Sequence, residues 1–172
     1  DYVGSSNLLT FAAGVRTQTI SLVISNDTLV EGNESFTVAL TNASAGAVLG
    51  AYSNSVVTIG DNDVRFQWAT NAVSVAESTS SLTLTVLRTG ATNLTNTVAY
   101  TFTPGTAGTN DYTATNGTLT FAPGVGTQTV SFAVINDNLV ELNETLTVGL
   151  GGPSGAALLG SVSNLTVTIT EA

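Results

Sequence analysis

Residues 127–150 read TQTVSFAVINDNLVELNETLTVGL, and this stretch decides the fold. Apolar side chains occupy every second position at Val130, Phe132 and Val134, and the alternation returns from Leu146 to Leu150. A period of two is typical of β-strands that bury one face. The residues between the two runs include three acids. The stretch therefore predicts two strands joined by an acidic loop.

The same pattern occurs earlier in the chain, as residues 17–40, TQTISLVISNDTLVEGNESFTVAL. The offset is 110 residues, and it holds without a gap from Asp1-Tyr2, which match Asp111-Tyr112, to the C-terminus. Repetition at a fixed offset is the mark of tandem structural units. Only the second copy has a long segment, residues 64–110, before its Asp-Tyr pair. We therefore expect two domains: residues 1–63 are the C-terminal half of a repeat, and residues 64–172 are a complete repeat.

The segment 64–110 adds further alternating runs, around Val75, Leu84 and Val98, and Gly or Pro residues separate the runs. The complete repeat thus has about seven short strands, the scale of an immunoglobulin-like domain. No segment has a helical period of adequate length. The predicted fold class is all-β, with immunoglobulin-like, seven-stranded antiparallel β-sandwich repeats.

The composition of the 172-residue chain excludes several functions. Cys, His and Lys are absent, so thiol nucleophiles, histidine bases and Cys or His zinc sites are excluded. A net charge of −9 argues against a nucleic-acid partner, and no apolar run approaches the roughly 18 residues of a membrane span. No catalytic motif is present. We expect a protein that is not an enzyme.

The twelve acids are confined to turns and strand ends, whereas acids that serve only solubility are spread over all exposed positions. A sandwich brings the loops between its strands together at its ends. Calcium takes six to eight oxygen ligands, and carboxylates are among them. Calcium binding is therefore the leading interpretation, and solvated loop acids without tight metal binding are the alternative. The candidate ligands are Asp1, Asp27, Glu31, Glu34, Asp61 and Asp63 in the first copy, and Glu77, Asp111, Asp137, Glu141, Glu144 and Glu171 in the second.

Several linked motifs resemble the Calx-β (Calx-beta) family over the whole chain. They are Asn110-Asp111-Tyr112 followed by residues 117–124, the acidic stretch 136–148, Leu158-Leu159-Gly160 with Val167-Thr168-Ile169, and the ending Asp61-Asn62-Asp63. The resemblance implies a seven-stranded sandwich with calcium at one end, and roles in ion sensing, adhesion and extracellular matrix. It implies that the twelve acids are the metal ligands. The chain departs from the family pattern at Asn33, Asn136 and Asn143, where family members often carry Asp, and this lowers the ligand charge.

Seven Asn-x-Ser/Thr sequences are candidate glycosylation sites in a source that glycosylates proteins. Two of them fall inside the acidic loops, where a glycan and tight metal coordination would compete. The seven are Asn26, Asn33, Asn42, Asn93, Asn116, Asn143 and Asn164.

Half a sandwich leaves strand edges and an apolar face uncovered. We therefore expect the chain to be part of a longer array, or to receive the missing strands from a neighbour. The predicted function is an extracellular or cell-surface structural repeat of a filament, adhesin or matrix, stiffened by calcium. Its partners would be neighbouring copies or repeats of the same protein, and cell-surface or glycan ligands. The alternative is a calcium-sensing regulatory module.

Overall fold

A computed structural model describes residues 1–137 and 139–171. Asn138 of the predicted acidic stretch and Ala172 at the end of the predicted second domain lie outside the described residues. The chain forms two compact units. Unit 1 comprises Asp1–Leu29 and Asn33–Gly60, and unit 2 comprises Val30–Gly32 and the chain from Asp61 on. In the part that the structure describes, no helix is long and apolar enough to cross a membrane.

Unit 2 is a sandwich of two five-stranded sheets. One sheet has the order β4-β12-β10-β6-β8, and the other has the order β11-β3-β5-β9-β7. The strands are β3 (Val64–Trp68), β4 (Ala72–Ala76), β5 (Ser81–Gly90), β6 (Asn96–Pro104), β7 (Tyr112–Thr113), β8 (Gly117–Phe121), β9 (Thr127–Val134), β10 (Glu144–Gly151), β11 (Leu158–Leu159) and β12 (Asn164–Thr170).

The core of unit 2 lies between these sheets, because alternate residues of each strand point inward. Trp68, Phe66 and Phe121 are fully buried in it, and the Phe66 and Phe121 rings lie 5.0 Å apart. The Arg88 guanidinium is buried at the end of β5, where it donates hydrogen bonds to the carbonyl oxygens of Leu94 (2.9 Å) and Ala122 (3.0 Å).

Unit 1 contains strands β1 (Glu34–Ala39) and β2 (Asn54–Ile59), which pair antiparallel. Their register places Glu34 opposite Ile59, and 110 residues later β10 places Glu144 opposite Ile169. A single bridge joins Tyr2 to Ile24, and the matching residues Tyr112 and Val134 pair in unit 2. These two pairings are therefore the same in both units.

The predicted all-β sandwich is confirmed. The structure adds details that the alternation did not predict. The first strand of the sandwich is divided, so that β3 belongs to one sheet and β4 to the other. At the sheet edges, β4 pairs parallel with β12 and β11 pairs parallel with β3. The two-residue strands β7 and β11 complete the ten strands described in unit 2.

Candidate metal centre

All six predicted acids of the complete repeat lie where strands of unit 2 begin or end. Glu77 follows β4, Asp111 precedes β7, and Glu144 opens β10. Asp137 and Glu141 lie in the loop between β9 and β10, and Glu171 follows β12. Antiparallel strands of a sandwich bring these ends together.

One group of these acids consists of Glu77, Asp111 and Glu141. One carboxylate oxygen of each lies within 4.8 Å of those of the other two. Glu77 and Asp111 are buried, with exposed fractions of 6% and 5%, and Glu141 is half-buried. Buried acids without a cation beside them are rare, because desolvation disfavours the charged form. This group is the best-defined candidate site in the described residues.

Backbone hydrogen bonds hold these side chains in place. The Gly108 amide donates to Asp111 Oδ2 at 2.6 Å. The Glu141 amide donates to Glu171 Oε2 at 2.8 Å, and the Leu139 amide donates to Asp137 Oδ1 at 2.9 Å. Asp137 and Glu171 therefore shape the loop that carries Glu141.

Three glutamates at this end of unit 2 have raised pKa values. A hydrogen bond with Asp111, desolvation by burial and the charges of its neighbours raise the pKa of Glu144 to about 7. Desolvation first, and then the charges of Glu171, Asp137 and Asp111, raise the pKa of Glu77. Desolvation and four neighbouring carboxylates raise the pKa of Glu141. With a pKa of about 7, Glu144 retains its proton at pH values at which an isolated glutamate has released it.

The donor set fits a hard divalent cation with oxygen ligands. Glu141 Oε2 and Glu144 Oε2 are buried, and neither has a hydrogen-bond partner among the described residues. A buried oxygen without a partner is costly, and a bound cation would satisfy it. Calcium accepts six to eight oxygens at 2.3–2.6 Å and tolerates irregular geometry. This end of unit 2 therefore offers the oxygen ligands that calcium prefers, and two of the buried oxygens have no other partner among the described residues.

The six acids of the first copy fall in both units. Asp1, Asp27 and Glu34 belong to unit 1, and carboxylate oxygens of Asp1 and Glu34 lie within 4.8 Å of each other. Glu31, Asp61 and Asp63 belong to unit 2. There, Asp61 accepts hydrogen bonds from the Glu31 amide (3.0 Å) and the Asp63 amide (2.9 Å).

The loop geometry of the two copies agrees closely. The Leu29 amide donates to Asp27 Oδ1 at 2.8 Å, as the Leu139 amide does to Asp137. The Glu31–Asp61 hydrogen bond has the same sequence separation as the Glu141–Glu171 one. The role of all twelve acids as ligands stays a prediction.

Sequence reasoning named every acid of the unit 2 group but missed Gly108, whose amide positions Asp111. The available signal was the turn sequence Ala107-Gly108-Thr109-Asn110 ahead of Asp111. An Asp carboxylate that accepts a bond from an amide three residues before it is an ordinary turn interaction.

The model of the Calx-beta domain matches residues 1–63 and residues 60–172 of the chain. The chain therefore belongs to the Calx-beta domain family, and the predicted resemblance is confirmed. The two matches fit a tandem repeat.

Curated relatives include extracellular matrix protein 3 of Lytechinus variegatus, 33% identical over 97% of this chain and 6% of that protein. Adhesion G-protein coupled receptor V1 of Danio rerio is 31% identical over 99% of this chain and 3% of that protein. Sodium/calcium exchanger 1 of Canis lupus familiaris is 30% identical over 98% of this chain and 20% of that protein. The chain thus spans a small part of each.

Solved structures with this fold include the apo form of the Calx CBD1 domain. Its TM-score is 0.62 at 27% identity, over 63% of this chain and 97% of that one. The calcium binding domain CBD12 of CALX1.1 has a TM-score of 0.60 at 29% identity, over 62% of this chain and 45% of that one.

Proposed function

We propose that the chain is a non-catalytic extracellular repeat of a structural or adhesive protein, and that calcium stiffens its complete sandwich. The observation that carries this proposal is the convergence of Glu77, Asp111 and Glu141 within 4.8 Å. Membership of the Calx-beta family and the structural similarity to the calcium binding domain CBD12 of CALX1.1 support calcium as the ion.

Glu77, Asp111 and Glu141 would hold the ion, and Glu144 would lie at its side. Calcium supplies positive charge that relieves the repulsion among these carboxylates. The three ligands come from the end of β4, the start of β7 and the loop before β10. Because they belong to both sheets, a shared ion would tie the sheets together at this end of the sandwich. The result is a more rigid unit, which suits a load-bearing repeat.

The same role is proposed for the other predicted ligands. Residues 1–63 would form the C-terminal half of a repeat, and residues 64–172 a complete one. In the first copy the equivalent ligands are Asp1, Asp27, Glu31, Glu34, Asp61 and Asp63; in the second, Asp137, Glu144 and Glu171 complete the set.

Two observations support an extracellular location: the matrix and adhesion proteins among the relatives, and the exposure of the Asn-x-Ser/Thr sites. All seven Asn-x-Ser/Thr asparagines are exposed, so each is open to a glycan. Two of them, Asn33 and Asn143, adjoin proposed ligands, and a glycan there would compete with calcium. The partners would be neighbouring repeats, and surface or glycan ligands.

Thermal unfolding followed by the fluorescence of Trp68 tests the calcium site. Trp68 is the chain's one tryptophan and is fully buried in unit 2, so its signal reports on that unit. We expect a higher melting temperature in millimolar calcium than in chelator. At 10 mM calcium, which is about 10 to 100 times a Kd of 10⁻⁴–10⁻³ M, binding adds about 1.4–2.7 kcal/mol, which is roughly 6–11 °C for a domain of this size.

Two matched variants give the control. Glu141→Gln removes a member of the group, and it should abolish most of the calcium-induced shift. Thr118→Ala changes an exposed side chain of β8 that is not among the proposed ligands, and it should leave the shift of the Trp68 transition nearly intact. An equal melting temperature of the wild-type chain in calcium and in chelator would contradict the proposal.

A calcium-sensing regulatory module is the second candidate, because exchanger proteins are among the relatives. The affinity for calcium distinguishes a sensing module from a structural repeat. Calcium sensors work at Kd values of about 10⁻⁷–10⁻⁵ M, and extracellular modules at about 10⁻⁴–10⁻³ M. We expect the weaker range here, and a submicromolar Kd would favour the sensor.

A further inference from the structure

Gln128 is a polar residue at a position where the strand pattern predicts an apolar one. It opens the inward row of β9, and its register partner in β5 is the fully buried Val86. The row continues as Val130, Phe132 and Val134, all of them buried. Inward positions of a sandwich strand are normally apolar. A departure from this pattern marks a position with a role other than core packing.

The side chain of Gln128 reaches from its own sheet to the edge strand of the other sheet. Its Nε2 donates a hydrogen bond to the carbonyl oxygen of Thr120 in β8, at 2.8 Å. The first copy has the same contact, since Gln18 Nε2 donates to the Thr10 carbonyl oxygen at 2.7 Å. The two copies therefore place the same side chain on the same backbone carbonyl.

The backbone of Thr120 faces the open edge of its sheet. β6 lies between β10 and β8, and Thr97 of β6 is the register partner of Thr120. Thr97 directs both of its backbone groups to Ser154, which follows β10: its amide donates to Ser154 Oγ (2.8 Å), and its carbonyl accepts from the Ser154 amide (2.9 Å). Thr97 and Thr120 are therefore a pair that exchanges no hydrogen bonds. The amide and carbonyl of Thr120 point away from β6, and those of Thr118, two residues earlier, do the same.

Among the edge strands of unit 2, β8 has the fewest of the usual defences against pairing. In the described residues, β4, β7, β8 and β11 lie at sheet edges, and β7 and β11 have two residues each. In β4, the Thr70 hydroxyl donates to the Ala72 carbonyl at 2.9 Å, and the Thr79 amide donates to the Ala76 carbonyl at 2.9 Å. β8 has five residues, Gly117–Phe121, without a charge or a proline. Charges and prolines are common means by which edge strands avoid pairing with another chain.

We propose that the Gln128 side chain closes the β8 edge against a second copy of this chain. While its amide occupies the Thr120 carbonyl, an added strand loses one of the acceptors that it needs and meets the glutamine side chain. Without this amide, Thr118 and Thr120 offer two amides and two carbonyls to the same strand of another copy, and two β8 strands can pair antiparallel about a two-fold axis. The inference is independent of calcium and goes beyond the proposed function.

Gln128→Met tests this proposal, because methionine is unbranched and apolar and has no amide to donate. Light scattering measures the mass of the chain over a range of concentrations, and hydrogen exchange followed by NMR measures the amides of Thr118 and Thr120, both in chelator. We expect a mass about twice that of the wild type and at least about tenfold slower exchange of these two amides. Gln67→Met makes the same change on the outer face of β3, and it should keep the wild-type mass.

A second change locates the association. Thr120→Pro removes an amide that faces the open edge and not β6, so the sheet keeps its ladder, whereas another strand loses a donor and meets the proline ring. Added to Gln128→Met, it should restore the wild-type mass.

Four results would overturn the proposal. The first is equal mass and equal exchange in Gln128→Met and the wild type. The second is association that Thr120→Pro does not reverse or that Gln67→Met shows as well, because it would use another surface. The third is loss of the folded state, seen in Trp68 fluorescence, in both Gln128→Met and Gln128→Leu, since the glutamine would then serve the fold. The fourth is unfolding of the double variant, which would contradict the outward direction of the Thr120 amide.

Discussion

Phe121 and Phe11 occupy the same position in the two copies but differ in burial, and this difference has a measurable consequence. Phe121 is fully buried, lies 5.0 Å from the Phe66 ring and has the Arg88 guanidinium 5.7 Å above it. Phe121→Ala leaves a cavity, which costs about 3–5 kcal/mol for a buried Phe. Phe11 already has half of its surface in water. Phe11→Ala removes the same atoms at a cost of about 1 kcal/mol.

Urea unfolding, followed by Trp68 fluorescence and by circular dichroism, measures both costs. With a slope of about 2 kcal/mol/M, Phe121→Ala should lower the midpoint of the Trp68 transition by roughly 2 M. Phe11→Ala should lower neither midpoint by more than about 0.5 M. Equal costs for the two variants would refute the reasoning, because they would mean that the face of unit 1 is already covered.

Two further predictions concern unit 2. Gly90 has a φ of +88°, and a Cβ there would meet the Asp63 carbonyl oxygen. Gly90→Ala should therefore lower the free energy of unfolding in urea by more than about 2 kcal/mol. An unchanged free energy of unfolding would contradict the positive φ at Gly90. In chelator, the raised pKa of Glu144 favours the folded state while this group is protonated. That contribution is complete below about pH 4.5 and is lost as the pH rises through about 7. Unfolding in chelator should therefore need more urea at pH 5.5 than at pH 8. The opposite order would contradict the raised pKa of Glu144 in the folded chain.

The sequence predicted the sandwich because its apolar residues alternate, and alternation depends only on which face of a strand is buried. Residues 17–23 show the limit of this reasoning. They carry nearly the same pattern as β9, yet they form no strand in the described structure, where no equivalent of β5 pairs with them. Alternation identifies a face that can be buried, whereas a strand also needs a partner for its backbone groups.

The candidate site was likewise predicted only in part from the sequence. The confinement of acids to turns was visible in the sequence, and so was their separation into two copies. The grouping of Glu77, Asp111 and Glu141 was not, because it depends on how the ends of β4 and β7 and the loop before β10 come together from two sheets. The buried Arg88 could not be foreseen either, since most of its partners are backbone carbonyl oxygens, which every residue carries.

Calorimetric titration of the metal-free chain with calcium at pH 7.5 tests the central claim most directly. The convergence of Glu77, Asp111 and Glu141 predicts saturable binding with a Kd of about 10⁻⁴–10⁻³ M, and Glu141→Gln should weaken it strongly while Thr118→Ala retains it. No saturable binding of calcium up to about ten times that range, or equal binding by wild type and Glu141→Gln, would contradict the account.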